Sequence, residues 1–157
     1  MSTIPTRTLA RTAVVALAQL LLVGLAVAPR LSAWATGEEH RLEVAGLDPH
    51  DPFRGAYAQL SYPGLPDGGR HEGEVFVPLR AEGDLWVGER PVTRRPDAGP
   101  YLACEAGWEG LDCGIGSWFT HDEDALAVED ALRERSGVAV LRVDSRGHAV
   151  LVDLLTG

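Results

Sequence analysis

Lysine and asparagine are missing from this chain altogether, and all 14 of its basic residues are arginine. Without a lysine amine there is no Schiff base, no pyridoxal phosphate attachment, no Ser-Lys dyad and no P-loop lysine, so several enzyme classes fall away together. A GC-rich genome writes the same bias into any protein, so the arginines by themselves assign no role. Cysteine is scarce as well: Cys104 and Cys113 are the only two, too few for a structural zinc site. Internal repeats and low-complexity stretches are also lacking, which excludes solenoid and compositionally disordered readings.

Acidic residues are absent from positions 1–35, which carry Arg7, Arg11 and Arg30 for a balance of +3. Positions 36–157 set 11 arginines against 23 Asp and Glu, a balance of −12. A surface this acidic repels phosphate backbones, so nucleic acid is excluded as a partner, while cations remain compatible with it. At 157 residues, with 45% hydrophobic and 24% charged residues, the chain has room for one packed domain and an appendage.

What is present begins with a long apolar run. Positions 13–28 contain a single polar side chain, Gln19. Sixteen helical residues fall short of a hydrocarbon core about 30 Å thick, so a span must borrow from Leu9 and Ala10 before it and from positions 31–35 after it. Membrane lipid is thus the expected partner of positions 9–35. Arg11 and Arg30 would snorkel to the two interfaces and Trp34 suits the outer belt. The basic residues before the run place the N-terminus in the cytoplasm and the remainder outside. A cleaved signal peptide is the competing reading, with Ala33-Trp34-Ala35 as its cleavage site. The chain therefore divides into an anchor or signal segment, 1–35, and an exported domain, 36–157, entered through a polar linker at positions 36–40. In an oxidising compartment Cys104 and Cys113 pair, as a local staple across a hairpin; in cytosol they would be free thiols.

In the exported part, short apolar runs closed by Gly, Pro or Asp predict about seven strands, at positions 41–47, 55–62, 74–79, 85–89, 101–104, 138–143 and 149–154. The last two form a hairpin through Asp144-Ser145-Arg146-Gly147 and are expected in the middle of a sheet. One amphipathic helix interrupts the strands. Thr120 and Glu123 make a capping box, and Ala125, Leu126, Val128, Ala131 and Leu132 give its apolar stripe. The fold class is α+β, predominantly β: a small barrel or sandwich with one helix against it, preceded by one transmembrane helix.

The densest polar cluster is Asp48-Pro49-His50-Asp51-Pro52-Phe53-Arg54, a corner feeding a strand that carries Tyr57 and Tyr62. Asp48, His50, Asp51, Arg54, Tyr57 and Tyr62 are the candidate binding residues. With His71 and Glu72 the corner has the oxygen and imidazole ligands of a divalent site. Two Asp-Pro steps explain it equally well as a solvated turn, and no metal is assigned. Ser117 follows Gly114-Ile115-Gly116 but lacks the Gly-x-Ser-x-Gly elbow, so no catalytic residue is assigned. Glu38-Glu39-His40 reads as exposed linker charge, with a pH sensor as its alternative. No motif implies a cofactor.

The run Arg54-Gly55-Ala56-Tyr57-Ala58-Gln59-Leu60-Ser61-Tyr62 resembles the signature of the GDYXXLXY family, bacterial membrane-anchored proteins of uncharacterised function. Gly114-Ile115-Gly116-Ser117-Trp118-Phe119 is similar to that family's second block. Two departures stand out: Ala56 replaces the signature aspartate, and His121-Asp122-Glu123 replaces Pro-Glu-Gly. The resemblance implies a location and a shape, with the motif as architecture. The expected function is a noncatalytic interaction or accessory module of the cell envelope working with another integral membrane protein. The alternative is a membrane-tethered hydrolase or metal-dependent enzyme using the corner from Asp48 to Arg54.

Overall fold

The computed structural model describes residues 6–46, 57–69, 71–108, 110–119, 132 and 137–156. Helix α1 (Thr6–Thr36) continues through Pro29 without a break. Its part from Arg11 to Thr36 is long and apolar enough to cross a membrane, and Val14, Leu17, Leu20, Leu21, Leu22, Val23 and Leu25 are all exposed along it. Thirty-one helical residues reach about 46 Å, which supplies the length that the apolar run alone lacked.

The linker expected at positions 36–40 is not there. Only Gly37 separates α1 from strand β1 (Glu38–Gly46). Its N–H donates to Ala33 O at 2.9 Å, and a side chain on it would run into Ala33 O and the Val143 amide. A residue without Cβ is what lets the helix turn straight into a sheet. β1 then alternates: Glu39, Arg41 and Glu43 are exposed while His40, Leu42 and Val44 are buried. This period of two explains a second correction. His40 is not exposed linker charge; it is 4% exposed, with Nδ1 3.0 Å from Glu38 O and its ring edge-on to Trp86 at 4.7 Å.

Nine strands are present among the described residues. Beyond β1 they are β2 (Tyr57–Ser61), β3 (Gly73–Glu82), β4 (Leu85–Gly88), β5 (Tyr101–Gly107), β6 (Gly110–Asp112), β7 (Ser117–Phe119), β8 (Gly137–Val143) and β9 (Ala149–Leu155). They form two antiparallel sheets, β7-β2-β1-β8-β9 and β4-β3-β5-β6. Leu42 and Val44 of the first sheet meet Val75, Val77 and Leu102 of the second in one shared core, which Leu141 and Leu132 complete. The chain is thus α+β and predominantly β, as its sequence pattern requires. β8 is interior and buried along nearly its whole length, but β9 ends its sheet instead of sitting in the middle, and α1 lies near both strands. Leu132 is helical and 4% exposed; the rest of the capping-box helix lies outside the described residues.

The β8–β9 turn is fixed against the second sheet. Ala103 N donates to Gly147 O at 2.8 Å and Tyr101 Oη donates to Ser145 O at 3.0 Å. Gly147 has φ +82°, and an added Cβ would lie 2.6 Å from the Tyr101 ring. Both the left-handed backbone and the ring oppose a side chain there, so Gly147→Ala is expected to cost about 2 kcal/mol. Chemical denaturation of the purified chain, read from the midpoint, measures it.

Candidate functional site

The corner proposed from sequence, Asp48, His50, Asp51 and Arg54, lies outside the described residues, as do Ala56 and His121-Asp122-Glu123. Tyr57 is described as backbone: it opens β2 and pairs with Phe119. Tyr62 follows β2 and donates its hydroxyl to Ile115 O at 2.9 Å; burial pushes that hydroxyl's pKa up. Cys104 and Cys113 are joined by a disulfide with Cα atoms 4.1 Å apart, one step beyond the Glu105–Asp112 pair of the β5–β6 ladder. His71 N bonds Gly68 O at 3.3 Å. Ser117 is exposed on β7 opposite Gln59. Among the described residues no group of three metal-ligating side chains converges.

The two signature blocks are neighbours. Tyr57, Ala58 and Gln59 pair with Phe119, Trp118 and Ser117, and Leu60 N donates to Gly116 O at 2.9 Å. With the Tyr62 hydroxyl on Ile115, the first block grips the second through backbone hydrogen bonds. That use needs a Tyr hydroxyl and a Gly-rich loop close to it. It does not need an acid at position 56.

The most connected polar group in the described structure is one that sequence reasoning took for simple turn chemistry. The Asp144 side chain is 1% exposed. Its Oδ1 accepts from the amides of Arg146 (2.9 Å) and His148 (3.0 Å), closing the turn. Its Oδ2 accepts from the Ser32 hydroxyl of α1 at 2.6 Å and lies 3.1 Å from His148 Nδ1. Arg146 Nη2 donates to Ser32 Oγ at 3.1 Å and stands 3.8 Å from Asp144 Oδ2. Burial by itself would raise the Asp144 pKa, but the Ser32, Arg146 and His148 hydrogen bonds outweigh it and hold the carboxyl below its ordinary value of 3.8. An ionised carboxylate only accepts, so Nδ1 of His148 carries the hydrogen. Arg142 completes the joint: Nε donates to Gly37 O at 3.1 Å and Nη1 to Trp34 O, supplying donors and positive charge to the helix C-terminus.

Ser32, His148 and Asp144 are the residue types of a catalytic triad, but the order is wrong for one. In a triad the serine bonds the histidine and the histidine bonds the aspartate. Here the aspartate is the hub and serine gives it the hydrogen. The trio therefore clamps the end of α1 to the β8–β9 turn, with Ala33 fully buried beneath.

Beside the clamp, a cleft of about 460 Å³ opens between α1, the loop after β6 and the start of β9. Arg30, Asp112, Ser117, Trp118, Val150 and Leu151 line it. A smaller cleft shares Arg30, Asp112 and Gly114 with it and reaches His148. Ser32 and Arg142 were missed because their partners lie far away in the chain, Ser32 and Asp144 being separated by 112 positions, and without them Asp144, Arg146 and His148 read as a local turn. The one visible signal was an Asp at the first position of a turn rich in donors.

No curated protein and no solved structure matches the chain. The family described as GDYXXLXY protein matches residues 19–154, taking in α1 from Gln19 onward, both signature blocks and the closing hairpin, and the chain belongs to that family.

Proposed function

We propose that the chain is a single-pass protein of the bacterial cytoplasmic membrane. Its N-terminus faces the cytoplasm and its β-rich domain is held outside, at the bilayer surface, as a noncatalytic accessory module for another integral membrane protein. The observation that carries this reading is the clamp. A removable signal peptide has no reason to end inside the fold it delivers, yet Ser32 and Ala33 of α1 are integral to the domain, and Trp34 O is a hydrogen-bond acceptor for Arg142. Cleavage after Ala35 would take the Ser32 hydroxyl from Asp144 and the Trp34 carbonyl from Arg142, and would uncover a buried carboxylate.

The noncatalytic part rests on the use to which the converging polar groups are put. Asp144, Ser32, His148 and Tyr62 each spend their hydrogen bonds on backbone or on one another in structural positions. Intact mass of the protein isolated from membranes is expected to include residues 1–35, and a reporter fused after Gly157 is expected to be cut by externally added protease. A mature mass beginning at or near Thr36 would overturn the anchor. Purification from detergent with a co-isolated membrane protein tests the accessory role; recovery of the protein alone from cells that normally express it would overturn that role while leaving the anchor standing.

A further inference from the structure

We propose that the cleft at Arg30 binds the headgroup of a zwitterionic phospholipid bearing a primary amine, of the phosphatidylethanolamine type. The inference rests on the membrane reading of α1. Arg30 closes the apolar span, and the helix beyond it is built into the domain, so the cleft opens at the depth where headgroups lie. Its volume, about 460 Å³, is in the range of ordinary ligand sites.

The charges carry the argument. Arg30 is exposed and its side chain has, among the described residues, neither a hydrogen bond nor an ion pair; its Nη2 lies over Gly114, 3.8 Å from where a Cβ would be. Asp112 lines the same cleft, and only its Oδ1 is used, by Gly114 N at 2.8 Å. Glu105 stands directly opposite Asp112 across the β5–β6 ladder, adding a second negative charge on that side. A cation and an anion that share a cleft without pairing with each other complement a ligand that carries both. The phosphodiester would take two guanidinium N–H groups and the ammonium would donate to the free carboxylate oxygen. Trp118, Val150 and Leu151 give an apolar wall for the glycerol end. Choline offers no N–H to Asp112. Phosphatidylglycerol offers no cation at all and meets a domain whose net charge is strongly negative, so both headgroups fit worse.

Native mass spectrometry of the full-length protein in detergent, with equal amounts of phosphatidylethanolamine, phosphatidylcholine and phosphatidylglycerol, tests this. The ethanolamine lipid is expected to be retained about fivefold over either competitor, the size of one partly exposed charge pair. Arg30→Gln is expected to lower retention of all three. Asp112→Asn keeps the Oδ1 acceptor for Gly114, and is expected to erase the preference for ethanolamine over choline without lowering the thermal midpoint. Equal retention of the three lipids by the wild type, or a preference unaltered in both variants, overturns the proposal. Displacement of the lipid by soluble phosphoethanolamine at equal concentration overturns a lipid as the source. The protein used retains α1 by mass, so a negative result strikes the headgroup assignment, whereas a mature chain lacking residues 1–35 strikes the anchor.

Discussion

Asp144→Ala is expected to destabilise the full-length protein by about 3 kcal/mol, the cost of leaving buried donors without their charged acceptor. Four donors lose their partner together: the Ser32 hydroxyl, the His148 ring and the amides of Arg146 and His148. Denaturant unfolding in detergent, followed by tryptophan fluorescence, reads the loss. The same group sets an acid limit. Its folded-state pKa is depressed below 3.8, so its contribution is complete above the unfolded value and is lost as pH falls through the lower folded one. Wild-type stability should therefore decline as pH falls below the ordinary carboxylate range. Asp144→Asn should flatten that limb, because the substituted side chain has no proton to take up. A limb of equal steepness in the variant would assign the acid sensitivity to other carboxylates.

Breaking the disulfide is the second large effect. Cys104 and Cys113 are nine positions apart, and cross-linking so short a loop restricts the unfolded chain by about 3 kcal/mol on the chain-entropy account. For a domain of this size that is a fall of roughly 15 °C in midpoint. The bond does more than shorten a loop. It fixes β5 to the segment leading into the Gly-rich second block, so it also holds Glu105 and Asp112 face to face, where two like charges disfavour pairing. Cys104→Ser with Cys113→Ser should match the reduced wild type, and added reductant should leave the double variant unchanged. A reductant-induced shift in the double variant would show that the effect is not at this bond.

The sequence was legible where one rule dominated. Apolar length announced α1, and alternation placed β1, β3, β5, β8 and β9 to within a few residues, because a strand with one wet face must alternate. It was illegible where the element was too short to alternate and no cysteine marked it: β7 has three residues after a Gly-rich loop that reads as turn, whereas β6, equally short, was legible only as the returning limb of the hairpin between the two cysteines. His40 was misplaced because three polar letters in a row suggest a linker, although the middle of that run already keeps the period of β1. The two signature blocks lie far apart in the chain, and their hydrogen bonds to each other were not legible in it. The clamp could not be read at all. Ser32 looks like the tail of an apolar helix and Asp144 like an ordinary turn residue; only the folded chain brings them to 2.6 Å.

A shaft welded to its blade does not let the blade swing. With Gly37 as the sole residue between α1 and β1, and with Arg142 and Asp144 bonded across that junction, any rotation or tilt of the helix is delivered to the five-stranded sheet without slack. On the proposed membrane reading, a neighbour that turned the helix would thereby turn the sheet, and a load on the sheet would reach the helix.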